Sequence, residues 1–178
     1  MLSLSEVKPG ASNPQTIARI RPHGLAEVLR LYGDIHAYIL TDGTLSPEWE
    51  RIYLASAHLP EPLPLSWDLS RRVSTIRCHV LLARKFEATF QAIHDEGFWP
   101  AVHDYGGCYA FRAQRGSASK LSLHAWGLAV DLNTNTNKLG TTGDMSADVV
   151  RIFEENGFVW GGHFSRPDGM HFQFCDGY

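Results

Sequence analysis

A short alternating segment, LAVDLN at residues 128–133, constrains the fold of this 178-residue chain more than any other feature. Leu128, Val130 and Leu132 alternate with other positions, which is the period of a β-strand with one apolar face. Asp131 stands in the middle of the opposite face. A carboxylate within a half-buried strand is costly unless it is paired or binds a cation. The segment therefore predicts a strand with one face against a core and a charged site on the other.

A histidine and a glycine precede this strand. His124 lies seven residues before Asp131, so a straight strand would point the two side chains to opposite faces. Gly127, between them, provides the bend that lets both side chains converge. Near the end of the chain, MHFQF repeats the alternation, with His171 on the polar face and Met170 on the apolar face. We therefore expect two adjacent strands whose polar faces share one site.

His, Asp and His on neighbouring strands would supply three of the four ligands of a tetrahedral zinc ion. The fourth position is then open for water or substrate, as in catalytic rather than structural zinc sites. Nitrogen and oxygen ligands without a thiolate also suit zinc. We predict one Zn²⁺ ion bound by His124, Asp131 and His171.

Hydrolysis at a catalytic zinc ion needs further groups. The attacking water must lose a proton and the leaving group must gain one. Asp168, three residues before His171, is placed to do both. The developing oxyanion needs a fixed positive partner besides the metal, and Arg112 is a candidate on a predicted neighbouring strand.

The remaining pattern predicts an α+β fold, with a small antiparallel sheet that bears the zinc site and packs on a long helix. A chain of 178 residues fits a single domain, 1–178, with a surface arm at 1–21. The predicted elements are helices at 24–32, 47–58 and 73–93, strands at 98–102, 109–112 and 128–133, a helix between Ser146 and Gly157, and strands at 158–160 and 171–174. Residues 59–68, rich in proline, are predicted to be an extended connector.

Composition excludes several functions. A net charge of −3 and a pI near 6.3 argue against nucleic acid as a partner. No apolar run approaches the roughly 20 residues of a membrane span. The first residues lack the pattern of a secretory signal, so we expect synthesis in the cytoplasm and release by other means. Three cysteines without a CxxC pair predict free thiols, and we expect a monomer.

Two segments together resemble a known family. SLHAWGLAVDLN followed by GFVWGGHFSRPDGMHFQF is similar to the D-alanyl-D-alanine carboxypeptidase and L-alanyl-D-glutamate peptidase family of zinc enzymes. That family includes vancomycin-resistance D,D-dipeptidases and many phage endolysins, and it shares its architecture with Hedgehog signalling domains. The matching positions are Ser122, His124, Gly127, Ala129, Asp131, Asp168 and His171. The resemblance covers residues 73–175, and in YGGCYAFRAQRG it places Arg112 at the family's arginine.

The resemblance implies a role for each matching polar side chain. The zinc ligands would be His124, Asp131 and His171. Asp168 would be the catalytic acid and base, Arg112 would stabilise the transition state or bind substrate, and Ser122 would hydrogen-bond substrate. Gln173 departs from the family, in which Glu is frequent at this position, and receives no role.

The expected function is hydrolysis of the peptide stem of bacterial peptidoglycan, by a phage or prophage endolysin with L-alanyl-D-glutamate endopeptidase activity that a holin releases. A D,D- or L,D-carboxypeptidase is the first alternative, and a non-catalytic zinc-binding module is the second. Ser117 and Lys120 match the Ser-x-x-Lys motif of penicillin-binding proteins, but the companion motifs are absent from the sequence. His163, in the loop before Asp168, is a candidate for the wall of the cleft.

Overall fold

The computed structural model describes residues 20–117, 119–141 and 143–178, and these form one six-stranded sheet and four α-helices. The helices are α1 Gly24–Tyr32, α2 Pro47–Tyr53, α3 Ala83–Asp95 and α4 Ala147–Glu155. The strands are β1 Leu54–Leu65, β2 Asp68–His79, β3 Tyr105–Gly107, β4 Ala129–Leu132, β5 Val159–Trp160 and β6 His171–Gln173. Their order in the sheet is β2-β1-β3-β4-β6-β5, which confirms the α+β class. Most of the arm predicted at 1–21 lies outside the described residues.

The strands that bear the predicted site pair in antiparallel fashion. Strand β4 lies between β3 and β6, and Asp131 stands opposite His171. The long β1–β2 hairpin joins this half of the sheet through one parallel contact, Leu65 with Tyr105, so the sheet is mixed rather than wholly antiparallel. At Gly106 a Cβ atom would collide with the side chain of Thr134, and glycine there lets β3 approach the end of β4.

Aromatic side chains support the site-bearing strands from behind. Phe153 of α4 stacks on Phe172 of β6, with ring centroids 4.2 Å apart. Phe90 of α3 meets Phe153 edge to face at 5.7 Å, and Phe86 lies 4.9 Å from Phe158. Such ring pairs stabilise the core beyond the area they bury. Helices α3 and α4 therefore hold β6 from its apolar face and leave the opposite face for chemistry.

The prediction of one long helix over residues 73–93 is wrong in its first half. Residues 73–79 belong to β2, whereas the helix begins at Ala83. Ile76 and Cys78 are buried and Arg77 between them is exposed, which is the two-residue period of a strand. The valine, threonine and isoleucine of this stretch also favour strands. Pairing with β1 outweighs the spacings of three and four that indicated a helix.

One helix end and two predicted strands also differ from the prediction. Helix α2 begins at Pro47 as predicted but ends at Tyr53, because β1 starts at the next residue. Of the connector predicted at 59–68, residues 59–65 are extended as part of β1, and 66–67 form the turn to β2. Residues 98–102 contain a 3₁₀ turn, in which Pro100 has no N–H to donate to a sheet. Residues 109–112 form no strand, since the Ala110 amide bonds the carbonyl of His124 instead.

The cysteines agree with the prediction of free thiols. Cys78, Cys108 and Cys175 are all buried and unpaired by disulfides. Burial raises the pKa of Cys78 to about 12, so this thiol is neutral at physiological pH. Within the ranges that the structure describes, no helix has the length and apolar character needed to span a membrane.

Candidate metal centre and its cleft

The local fold before β4 places His124. Residues Leu123–Trp126 form a 3₁₀ helix, and the Ser122 hydroxyl caps it by accepting a hydrogen bond from the His124 amide at 3.4 Å. Gly127 ends the turn in the left-handed region, with φ of 69°. A Cβ atom at Gly127 would lie 2.6 Å from the backbone nitrogen of His79. The bend assigned to Gly127 thus requires glycine for both its conformation and its packing.

Three side chains converge where the turn meets the sheet. The His124 Nε2 atom lies 3.2 Å from Asp131 Oδ1 and 3.2 Å from His171 Nδ1. The His171 Nδ1 atom lies 2.9 Å from Asp131 Oδ1. These three residues are the one group of potential metal donors found in the described part of the chain. Two histidines and an aspartate are therefore brought together as the sequence predicts.

The hydrogen bonds behind the histidines decide which nitrogen atoms have free lone pairs. His124 Nδ1 lies 2.8 Å from the carbonyl oxygen of Cys108, which can only accept, so Nδ1 has the proton. On the other ring, His171 Nε2 lies 3.0 Å from the side-chain oxygen of Gln173. In its neutral form each ring therefore directs a lone pair towards Asp131 Oδ1. Three electron-rich atoms that face one another in this way are stabilised by positive charge between them, either a proton on a ring nitrogen or a metal ion.

The donor atoms also fit the size of zinc. In a tetrahedral site with zinc about 2.0–2.1 Å from each ligand atom, neighbouring ligand atoms are about 3.3 Å apart. The distances of 2.9–3.2 Å among the three atoms here are close to that value. All three side chains are at least largely buried, so water competes weakly for the ion. The arrangement fits a three-coordinate protein site with one open position.

The electrostatics of the cluster favour a positive centre. Burial acts to raise the pKa of Asp131, but the imidazoles of His124 and His171 outweigh it and hold the pKa below its ordinary value. Burial acts to lower the pKa of His171, but the hydrogen bond and charge of Asp131 raise it above its ordinary value. The cluster thus stabilises added positive charge, which a bound divalent cation would supply.

Asp168 lines the same cleft without joining the donor cluster. Its amide donates to the carbonyl of Gly161 at 2.9 Å, and its carbonyl accepts from the His171 amide at 3.0 Å. Its Oδ1 atom is buried and has no hydrogen-bond partner among the described residues. Burial raises the pKa of this carboxyl, and the charge of Asp131 raises it further against the opposing effect of His171. Asp168 therefore presents a proton acceptor with no structural partner beside the donor cluster.

Arg112 and Ser122 also line this cleft, whose volume is about 560 Å³. Arg112 was predicted to lie on a strand, but the structure has no strand at this position. It lies in a loop, where its carbonyl accepts from the Ser122 amide at 2.9 Å and its guanidinium donates to the carbonyl of Ala113 at 3.3 Å. The Ser122 hydroxyl, expected to bind substrate, is engaged with the amide of His124. The structure thus brings Arg112, Ser122 and Asp168 to the same cleft as the three donors.

Sequence reasoning missed three basic side chains near the donor cluster. Arg115 and Arg166 line the main cleft and also a second cavity of about 490 Å³, which Lys138 lines with them. Asp131 borders both cavities. In the described residues none of the three cations forms an ion pair with an acidic side chain. Arg166 lies two residues before Asp168 in the sequence, and this proximity could have indicated that it reaches the cleft.

Two side chains take other positions than predicted. Met170 was expected to face the core with the phenylalanines of β6, but it lines the cleft. Its position just before the strand frees it from the alternation of β6. His163 does not line the cleft; its side chain is 67% exposed and its ring packs edge-on against Trp160.

The Ser-x-x-Lys match has a structural explanation. The Ser117 hydroxyl accepts hydrogen bonds from the backbone amides of Ser119 and Lys120, at 3.3 and 2.9 Å. The Lys120 ammonium lies over the ring of Tyr178, 4.1 Å from its centroid. Serine and lysine thus stabilise a turn and an aromatic contact instead of forming a nucleophile and its base.

Comparison with known families bears on this site. Residues 115–174 match a family model described as D-alanyl-D-alanine carboxypeptidase. This segment of the chain is similar to a family of zinc peptidases. It contains His124, Asp131, Asp168 and His171, whereas Arg112 lies three residues before it. No curated protein matches the chain.

Proposed function

We propose that this protein is a zinc-dependent peptidase that cleaves the peptide stem of bacterial peptidoglycan, with L-alanyl-D-glutamate endopeptidase activity, and that it serves as a phage or prophage endolysin. The observation that most supports the proposal is the convergence of two imidazole nitrogens and a carboxylate beside Asp168, whose buried Oδ1 atom has no hydrogen-bond partner among the described residues. All four side chains lie in the segment that is similar to zinc peptidases.

Each residue of the site has a separate role in the proposed reaction. His124, Asp131 and His171 would hold the ion, which when bound supplies a Lewis acid that polarises the scissile carbonyl and activates water. Asp168 accepts the proton of the attacking water at its free Oδ1 atom and then donates it to the leaving amine. Arg112, on the wall of the cleft, stabilises the negative charge that develops on the carbonyl oxygen.

The shape and charge of the cleft support an internal bond as the target. The two cavities share Arg115, Arg166 and Asp131, so a second cavity adjoins the main cleft beside the donor cluster. An endopeptidase needs room for substrate residues on each side of the scissile bond. Arginine pairs with carboxylates through two parallel hydrogen bonds, and the unpaired cations suit the acidic residues of a stem peptide. A carboxypeptidase is the second candidate, because the same cations could bind a terminal carboxylate.

Digestion of purified peptidoglycan tests the proposal. Sacculi from a Gram-negative bacterium would be incubated with zinc-loaded protein, and the products would be separated and identified by mass spectrometry. The endopeptidase releases peptides that begin with D-glutamate and leaves L-alanine on the glycan. A carboxypeptidase instead releases free D-alanine or shortens the stem from its carboxyl end. Asp168→Asn protein with a full equivalent of zinc is the matched control.

The outcomes discriminate the alternatives. Peptides that begin with D-glutamate support the endopeptidase, and free alanine supports the carboxypeptidase. Stoichiometric zinc without any cleavage of sacculi would leave the non-catalytic zinc module as the explanation. The lytic role makes a separate prediction, namely that added protein lyses Gram-negative cells whose outer membrane has been permeabilised.

A further inference from the structure

A buried amide stands directly behind one of the histidines. Gln173 follows His171 by two residues on β6 and is 5% exposed. Its side-chain oxygen lies 3.0 Å from His171 Nε2, and its side-chain nitrogen donates to the carbonyl of Cys175 at 2.8 Å. The Cys175 carbonyl can only accept, so the orientation of the amide is determined. The oxygen must face His171, and the imidazole must donate to it from Nε2.

We propose that Gln173 is a positioning residue that keeps the proton of His171 on Nε2, so that the Nδ1 lone pair faces the bound zinc. The inference rests on the metal site of the proposed function. Gln173 is the acceptor at His171 Nε2, whereas Asp131 Oδ1 lies 2.9 Å from Nδ1 and favours a proton there when no metal is bound. The backbone carbonyl of Cys108 does the same for His124 from the opposite ring nitrogen, so the two histidines bind through different atoms.

The chemistry of position 173 requires an amide in this chain. A glutamate could accept the proton of His171, but its ionised carboxylate could not donate to Cys175. A methionine of similar length could do neither. Gln173 lies between Ala129 and Val159 on the neighbouring strands, and neither of these side chains can replace a lost hydrogen bond. Glutamine is thus the side chain that satisfies both partners at once.

The strength of metal binding should depend on this hydrogen bond. Partners that orient a ligating histidine typically change metal affinity by about 10- to 100-fold when they are removed. We expect Gln173→Met to weaken zinc binding by that factor. Gln173→Glu keeps the acceptor for His171 and should retain zinc affinity to within about 10-fold, although its thermal stability should fall because Cys175 loses its donor.

Two measurements test the inference. Zinc affinity would be determined by competition with a chromophoric chelator, and ¹⁵N NMR of the zinc-loaded protein would report which nitrogen of His171 has the proton and which binds the ion. We expect the Nε2-protonated form in the natural protein and a mixture in Gln173→Met. Thr89→Val is the control, because it removes a buried hydrogen bond of 2.8 Å to Lys85 on α3, far from the cluster along the chain. It should lower stability without changing zinc affinity.

The results separate this inference from the proposed activity. Nδ1-protonated His171 in the natural protein would overturn it, and so would normal zinc affinity in Gln173→Met. If Gln173→Met fails to fold, the tautomer in the natural protein decides the question alone. Zinc binding without peptide cleavage would refute the proposed peptidase but leave the role of Gln173 standing. A natural protein that binds no zinc would overturn both.

Discussion

Replacement of Asp168 by asparagine separates proton transfer from metal binding. Asparagine has the same size and keeps a hydrogen-bonding oxygen, but it cannot accept a proton. The Oδ1 atom of Asp168 has no partner in the described structure, so the substitution breaks no hydrogen bond at that atom. General acid–base catalysis typically contributes 10²- to 10⁴-fold in rate. We therefore expect full zinc occupancy and a rate lower by that factor, or about 2.7–5.5 kcal/mol in the barrier.

The same substitution should not destabilise the zinc-free protein. Burial raises the pKa of Asp168 in the folded state, so its charged form is disfavoured relative to the unfolded chain. A group with a raised pKa contributes stability below its unfolded pKa, and this contribution is lost as the pH rises through the folded value. At neutral pH the carboxylate is thus a cost that asparagine removes. Because the side chain is only partly buried, the free energy of unfolding should stay equal or rise by no more than about 1 kcal/mol.

Three assays on one preparation test this reasoning. Metal analysis measures zinc, initial rates on purified muropeptides measure activity, and thermal unfolding in chelator measures stability. The natural enzyme should lose activity on acidification at a higher pH than an ordinary aspartate would give, because the base must be ionised. Full zinc with a full rate in the Asp168→Asn variant would remove Asp168 from the mechanism. Loss of zinc would make it a ligand, and a lower melting temperature would make it a structural turn residue.

Other perturbations probe the metal, the arginine and the bend. His124→Ala, Asp131→Ala and His171→Ala should each lose stoichiometric zinc and activity, as measured by metal analysis, and normal zinc in any of them would refute the ligand assignment. Zinc at 100 times its Kd stabilises the folded protein by about 2.7 kcal/mol, and a domain of this size shifts its melting temperature by about 2–4 °C per kcal/mol. Removal of that zinc with a chelator should therefore lower the melting temperature of the natural protein by about 5–11 °C. Arg112→Lys keeps the charge but loses the planar donor pair, so turnover should fall by about 10²-fold; a near-normal rate would show that Arg112 is not needed. Gly127→Ala should lower the free energy of unfolding, measured with denaturant, by at least about 1–2 kcal/mol because of its positive φ alone. The close contact of the new Cβ atom with the His79 backbone should lower it further, and unchanged stability would contradict the tight turn.

The parts of the site that depend on neighbours in the chain were predictable. The alternation around Asp131 predicted β4, and the spacing around His171 predicted β6. Gly127 was identified as the bend because the two candidate ligands on either side of it, His124 and Asp131, could not otherwise share a face. In each case the period of the backbone determines where a side chain points, and the pattern is complete within a dozen residues.

The parts that depend on distant partners were not predictable. Residues 73–79 satisfy a helical spacing, and only pairing with β1, whose partners in register lie up to 25 residues earlier in the chain, makes them a strand. Arg115, Lys138 and Arg166 come from separate loops, so their approach to one cavity has no local signature.

The amino-acid sequence by itself determined which side chains are candidate metal donors, the strands that bear two of them and the need for a bend, because these follow from local period and side-chain chemistry. Only the tertiary structure decided which ring nitrogen of each histidine faces the candidate metal position. The hydrogen-bond partners behind His124 and His171 are the carbonyl of Cys108 and the side-chain amide of Gln173. A single hydrogen bond of this kind depends on where two backbones meet, which the pattern of one segment does not specify.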